Sequence, residues 1–338
     1  MKFSDKIASE IKNYLPAEYA EAEIILQKYP NPGNQILTGI IVRKPGSKAA
    51  PMLYLNDLYC SYNSGEIDFP DIFEELKNII CQDCSCIPTD TGQVLNWDFA
   101  RENIISRFIN IGNGLNKSYL SNRPYTLMDN SNFAVIYDVD FSASKQLMTS
   151  PITYDLMHVW DVSLQEIDHA ARVNNPRLRP VRIDAIGSLL SGMLPNSDAF
   201  TDAPLMYVVT NEQCSLGAIT VTYDGVDKQL QDMLGDYYLL PSSVHEMIVV
   251  SRSNFDVATL SEMIQDVNRT EVQPCDILDD VPYIIKDGQL IIAPTENAVP
   301  ETAPALSLIH ISECFLLCLL LCKNRLFRLH EYNSSHCT

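Results

Sequence analysis

The chain lacks the short signatures by which many active sites announce themselves. No Gly-x-Ser-x-Gly occurs, so there is no nucleophile elbow of the hydrolase type. No glycine directly precedes a lysine in a phosphate-loop pattern. The nearest approach, Gly112-Asn113-Gly114-Leu115-Asn116-Lys117-Ser118, has Asn116 where the backbone needs glycine to wrap phosphate. A dinucleotide fingerprint and an internal repeat are likewise absent. Apolar runs are short: nothing before residue 306 reaches the length of a membrane span. The first residues, Met-Lys-Phe-Ser-Asp-Lys, lack the apolar run of a signal peptide, so a cytoplasmic location is expected and no membrane partner. Positive charge is also scarce. There are 24 Lys and Arg against 43 Asp and Glu, a net charge of −19. Such a surface repels phosphate backbones, so no nucleic-acid partner is expected. The densest basic run, Arg172 to Arg182, is broken by Pro176 and Pro180 and reads as a solvated loop or strand rim.

One stretch is present that does not belong to fold reasoning. Leu306-Ser307-Leu308-Ile309-His310-Ile311-Ser312-Glu313 is the codon-by-codon translation of CTGTCTCTTATACACATCTCCGAG, which resembles a transposase mosaic-end adapter. Residues 306–338 therefore read as a non-native adapter and frameshift tail. Their cysteines and histidines imitate a membrane anchor and a metal site. Six cysteines precede the tail: Cys60, Cys81, Cys84, Cys86, Cys214 and Cys275. Without a secretion signal they read as reduced thiols.

Phe3, Ile7, Ile11 and Tyr14 share a helical face that Pro16 ends. Strands at 23–29 and 36–43 flank the turn residues Asn31-Pro32-Gly33, a short strand follows at 51–55, and helical stretches lie before Gly65 and over about 70–80. A helix is expected over about 97–109, then an irregular polar segment to Asn132. A strand follows over 133–141, with Asp138 and Asp140 on one exposed edge face. Ser163-Leu-Gln-Glu166 forms a capping box, and its helix is expected to stop near Asn174-Asn175-Pro176. A buried strand at 205–210 precedes a helix over 226–234 capped by Asp224. Strands at 237–240 and 245–250 are split by Pro241-Ser242-Ser243, and Asp256 caps a helix through Val267. A last hairpin, 283–286 with 289–292, turns on Asp287-Gly288. Helices and hairpins without regular strand-helix-strand alternation indicate an α+β fold with antiparallel hairpins. A compositional shift near Met148–Thr153 suggests halves at 1–150 and 151–294, with one continuous domain as the alternative. Residues 295–305, rich in Pro, Ala and Glu, read as a disordered end.

Three stretches carry a resemblance. One is Tyr54-Leu-Asn-Asp-Leu-Tyr59 with Tyr62, Gly65 and the helix 72–79. Another is Ile104-Ile-Ser-Arg-Phe-Ile-Asn110 leading into 133–137. The third is Tyr207–Asn211, Gly217-Ala218, Gly235-Asp-Tyr-Tyr-Leu-Leu-Pro-Ser-Ser-Val-His245-Glu246 and 263–268. Together they resemble domain of unknown function 5688, a bacterial family common in gut Clostridia, over about residues 1–295. The C-terminal part is also faintly similar to domain of unknown function 1444. Neither family supplies catalytic residues to carry over.

Two constellations remain as site candidates. Ser243, His245 and Glu246, with Ser242, gather a hydroxyl, an imidazole and an acid at one strand junction, the parts of a hydrolase or transferase site. Against that, Ser243 and His245 share one side of an extended chain while Glu246 points away, which suits a turn with locally bonded serines. Cys81, Cys84 and Cys86 invite a thiol or metal sensor, but one Cys-x-x-Cys supplies half a zinc site. Asp138 with Asp140 could hold a divalent ion, and Asp276, Asp279 and Asp280 read as a solvated cluster. Pro70-Asp71 with Glu75-Leu76-Lys77 echoes a nuclease signature, but its acids fall within one helix. The reading these leave is a binding or regulatory module with a protein or small-molecule partner. It implies no cofactor.

Overall fold

Apolar residues three and four apart, and strands that alternate their faces, account for most of the elements. The structure, a computed structural model, describes residues 2–47, 50, 52–81, 91–141, 149–187, 206–253 and 255–295. It divides into two compact units, Met1–Val94 and Leu95 onward.

In the first unit, α1 (Phe3–Glu10) buries Ile7 and passes into a tighter turn that buries Ile11 before Pro16. Strands β1 (Glu23–Asn31) and β2 (Gln35–Arg43) pair antiparallel from Glu23↔Arg43 to Asn31↔Gln35. Their turn uses the left-handed region at Gly33 and Asn34, residues that reach it with little strain. β3 (Met52–Tyr54) joins β2. Helix α2 (Asn56–Ser64) ends at Gly65 with φ 81, a left-handed C-cap. α3 (Phe69–Cys81) turns Ile72, Phe73 and Leu76 onto the sheet, where Ile40, Val42, Leu55 and Leu58 complete the core.

The second unit opens with α4 (Trp97–Asn103), capped by Asn96, and β4 (Ile104–Asn110). The expected helix over 97–109 therefore stops at Asn103. Ile104 and Ile105 are β-branched, and residues 104–110 pair with β6 over seven positions, so sheet pairing overrides the helical spacing. The segment expected to be irregular contains α5 (Lys117–Leu120) and β5 (Tyr125–Leu127). β6 (Phe133–Asp140) is the centre of this sheet. It pairs with β4 on one side and with β5 and β7 (Thr149–Pro151) on the other. The compositional shift near 148–153 thus falls on a paired strand inside the second unit. α6 (Tyr154–Trp160) leads into α7 (Leu164–Leu178), which starts with the Ser163/Glu166 capping box. α7 continues through Pro176 instead of stopping there. Asn174 and Asn175 anchor it by donating to the Ile104 and Ser106 region of β4, and the missing proline amide is tolerated.

A six-stranded antiparallel sheet forms the rest, in the order β13-β12-β10-β11-β9-β8. It comprises β8 (Val181–Ala185), β9 (Met206–Asn211), β10 (Tyr237–Ser243), β11 (Glu246–Ser251), β12 (Tyr283–Lys286) and β13 (Gln289–Ile292). β10 runs through Pro241, Ser242 and Ser243 with a register irregularity there, so those residues extend the strand. Asp287 and Gly288, at φ 52 and 75, make the last turn as their sequence requires. Between β9 and β10 lies α8 (Val226–Leu234), whose N-cap is Gly225 and not Asp224. One face of the sheet packs Tyr238, Leu240, Ile248 and Val250 against α9 (Val257–Thr270), which is capped by Asp256. Leu260, Met263, Ile264 and Val267 of α9 are buried there, each contributing roughly 1.5–3 kcal/mol. The opposite face packs Leu239, Met247 and Val249 with Leu230 of α8 and with Phe108 and Phe133 of the smaller sheet. β10 and β11 are buried on both faces, which is why they read as near-continuous apolar runs. The architecture is α+β. No helix among the described residues is long and apolar enough to cross a membrane.

Candidate functional site

Where the smaller sheet meets α7, a cleft of about 540 Å³ opens within the second unit. Its walls are mixed, and the apolar part is made by Phe108 of β4, Leu127 and Met128 at the end of β5, Val135 of β6, and Leu290 of β13. Ile219, Thr222 and Tyr223, on and just after a short 3-10 turn (Ala218–Thr222), close one side. Polar groups converge from α7, which presents Asp168, Arg172 and Asn175. Asp168 accepts from the Tyr137 hydroxyl at 2.8 Å and from Arg172 Nε at 2.7 Å. Tyr137 also shares a 2.6 Å hydrogen bond with Thr126. Burial, with Asp168 beside it, pushes the Tyr137 phenol well above its ordinary pKa, and burial does the same to Tyr223 against the opposing charge of Arg179. Both stay protonated donors. Asp129 and Asp224 join Asp168 on the lining, against the single guanidinium of Arg172, so the cleft carries more negative than positive charge. Arg172 is 73% exposed, so its pair with Asp168 is worth at most about 1 kcal/mol.

Beneath this surface lies a layer of buried charge. Asp138 and Asp140 point to one side of β6, as alternation requires, but that side faces inward: they are 3% and 7% exposed. The expected exposed edge face is therefore overturned, because β6 is a central strand. Asp138 accepts from Arg107 Nε at 2.8 Å and meets Arg123 at 3.3 Å. Asp140 pairs with Arg179 at 2.6 Å. The arginine run 172–182 is accordingly not wholly solvated, since Arg179 is buried as a counter-ion. Burial opposes charge on Arg107, yet Tyr119 and Asp138 more than restore it, so its pKa lies above the ordinary arginine value.

The Ser243, His245 and Glu246 group occupies the corner between β10 and β11. Ser242 and Ser243 both donate to Glu246 Oε1, at 3.0 and 2.8 Å. Ser243 Oγ also accepts the backbone amide of His245 at 3.0 Å. All three side chains are buried, Ser242 and Ser243 at 0% and 3% exposure and Glu246 at 1%. The His245 ring turns elsewhere. Its Nδ1 accepts the Leu216 amide at 3.1 Å, and its Nε2 lies 3.6 Å from Asp276 Oδ1. Serine and imidazole are thus adjacent in sequence but engage different partners, and none of the three lines the cleft. Burial alone would lower the His245 pKa; the hydrogen bond and charge of Asp276, reinforced by Glu246 and opposed by Arg107, carry it above the ordinary value.

Cys81 is exposed at the end of α3, and Cys84 and Cys86 lie outside the described residues. Among the described residues no three His, Cys, Asp or Glu side chains gather closely enough to hold a metal ion. Asp279 is buried, accepting from Asn132 at 2.9 Å and from the Tyr283 hydroxyl, so the acidic cluster at 276–280 is only partly solvated.

The cleft residues carried little sequence signal. Asp168 and Arg172 stand four apart on a helix, a spacing that reads as a surface ion pair. Phe108, Val135 and Ile219 belong to three separate elements and meet only through sheet pairing. No curated protein and no solved structure matches the chain. The model of the Family of unknown function (DUF5688) matches residues 1–286, and the chain belongs to that family.

Proposed function

We propose that this protein is a non-enzymatic binding module whose ligand site is the cleft between the smaller sheet and α7. The observation that carries the reading is the cleft itself: a concave space of small-molecule size whose lining combines an apolar patch with carboxylates and other hydrogen-bonding groups. The ligand class follows from the lining. An aromatic or branched aliphatic body fits against Phe108, Val135, Ile219 and Leu290. A positively charged head suits the surplus of carboxylates at Asp129, Asp168 and Asp224. The partner is then a compact amphipathic cation, free or as a side chain of a protein. The net charge of −19 supports the same sign of ligand and disfavours nucleic acid. Cys60, Cys81 and Cys214 form no disulfide, which suits a reducing, cytoplasmic setting.

Ligand-observed NMR with phenethylamine and hydrocinnamate, nearly equal in shape and opposite in charge, tests this. Phenethylamine is expected to bind and hydrocinnamate to bind several-fold more weakly. Val135→Trp, which fills the cleft, should remove both signals. Leu127→Lys, at a residue 60% exposed, should weaken the amine without disturbing the fold. Equal binding of the two probes would sink the cationic assignment, and binding that survives Val135→Trp would sink the cleft.

A further inference from the structure

The turn that feeds the 3-10 wall of the cleft is held in an unfavourable backbone conformation. Cys214 and Leu216 sit in the left-handed region, at φ 53 and 55, where side chains other than glycine and asparagine are rarely found. Asn211 ties the turn from inside, its side chain accepting the Ser215 amide and donating to the Ser215 carbonyl. From outside, the Pro180 and Leu178 carbonyls hold its start, accepting from the Glu212 amide and the Gln213 side chain, and His245 holds its end. The His245 carbonyl accepts the Gly217 amide at 2.9 Å and the Thr210 hydroxyl at 2.8 Å, while its ring accepts the Leu216 amide at Nδ1. Gly217 permits this approach, because a Cβ there would lie 2.8 Å from the His245 carbonyl oxygen and 2.6 Å from the Asn211 amide nitrogen, and would also strike Thr210 Oγ1. The wall begins at the next residue, Ala218.

We propose that His245 is a proton-operated latch on this turn, and through it on the cleft; the link to ligand binding rests on the cleft reading above. An Nδ1 that accepts an amide must carry a lone pair, so the neutral ring holds its hydrogen on Nε2, facing Asp276. Protonation can occur only at Nδ1. It turns the acceptor into a donor opposite another donor, and the Leu216 amide loses its partner. The strained turn then relaxes, and the wall residues Ile219, Thr222 and Tyr223 lose their fixed position. The ring is 18% exposed on its side chain, so solvent protons reach it.

The surrounding charges make this a switch and not a point of unfolding. Asp276, from the segment after α9, faces Nε2; Glu246, the next residue in sequence, adds to its charge effect, and Arg107 of β4 opposes it. The turn contributes only exposed Glu212 and buried Cys214 as titratable groups. Asp276 therefore compensates the imidazolium while the turn gives up its hydrogen bond. The hydrogen bond and charge of Asp276 outweigh burial, so the titration lies above the ordinary histidine value.

NMR on the full chain, without ligand, from about pH 5.5 to about pH 8.5 is the test. The imidazole nitrogens of His245 are expected to show the Nε2–H form at high pH. The Leu216 amide, corrected for intrinsic exchange, should lose about three- to tenfold in protection with the midpoint of the ring titration, as expected for one lost hydrogen bond. In His245→Gln that pH dependence should vanish; in Asp276→Asn, which keeps the ring, its midpoint should move to lower pH. Leu216 protection that stays flat while His245 titrates would overturn the latch, as would unchanged pH dependence in His245→Gln. Phenethylamine affinity followed in parallel separates the two ideas. Absence of binding at high pH counts against the cleft alone. Binding that ignores an observed opening of the latch refutes the link between them.

Discussion

Two regions of the second unit bury carboxylates by opposite means. On β6, Asp138 is surrounded by formal charge, between Arg107 and Arg123. At the β10–β11 corner, Glu246 is held by two neutral hydroxyls on one oxygen, and its other oxygen is buried with no hydrogen-bond partner among the described residues. A charge-paired carboxylate is locked to its neighbours, since removing one partner leaves the others buried and uncompensated. A hydroxyl-bound carboxylate is replaceable by any group offering the same acceptor. The first arrangement builds a rigid platform under the cleft. The second builds a corner in which neutral donors hold the carboxylate, next to the His245 ring that bonds the neighbouring turn.

The contrast breaks most sharply at Asp138. Asp138→Ala should cost about 3–5 kcal/mol in urea unfolding, because it strands two buried guanidinium groups. A loss under about 1 kcal/mol would mean the pairs are not closed to water. Next in size, Glu246→Ala should cost about 1–3 kcal/mol by leaving the hydroxyls of Ser242 and Ser243 without an acceptor. Glu246→Gln retains the acceptor and should cost less than Glu246→Ala, as judged by the same unfolding curves. If the two substitutions cost the same, the corner is charge-dependent like β6 and the distinction disappears. Gly217→Ala should destabilise by about 1–3 kcal/mol through overpacking against the corner backbone. It should also lower Leu216 amide protection out of proportion to the global loss.

The smallest effect concerns pH. Because the folded-state pKa of His245 is raised, its contribution to stability is full below the unfolded value of about 6.5 and is lost as pH rises through the folded value. Asp276→Asn should flatten that slope between those two pKa values in thermal denaturation. The sign differs from that of the latch: acidification strengthens this global term while it loosens the Leu216 turn. A turn that tightened on acidification would contradict the hydrogen bond at Nδ1.

Some elements were legible because their cause is local. The Asp287-Gly288 hairpin, the Ser163/Glu166 capping box and α3 were placed by turn chemistry, reciprocal capping and helical spacing. Residues 104–110 were misread because Ile104, Ile105, Phe108 and Ile109 also fit a helical face. The seven-position pairing with β6 that decides the matter lies 23 to 35 residues away in sequence. Asp138 and Asp140 were read as an exposed face for the same reason: alternation says which residues share a side, not which side is covered. Ser243 and His245 were expected to share one side with Glu246 pointing away, whereas Ser243 bonds Glu246 and the ring turns from both, because the chain bends at this corner. That the ring reaches back to Leu216 and forward to Asp276 was invisible from adjacency.

By itself the sequence determined the α+β class, the turns and caps with a purely local cause such as Asp287-Gly288 and Ser163/Glu166, the net acidity and the membership of the family. Each of these follows from backbone preference, charge or pattern within a few residues or summed over the whole chain. Tertiary structure alone decided which carboxylates are buried and which cations answer them, where the cleft opens, and that His245 serves a turn instead of a nucleophile. Those facts depend on strands and helices distant in sequence meeting at hydrogen-bond range, and no local pattern encodes that meeting.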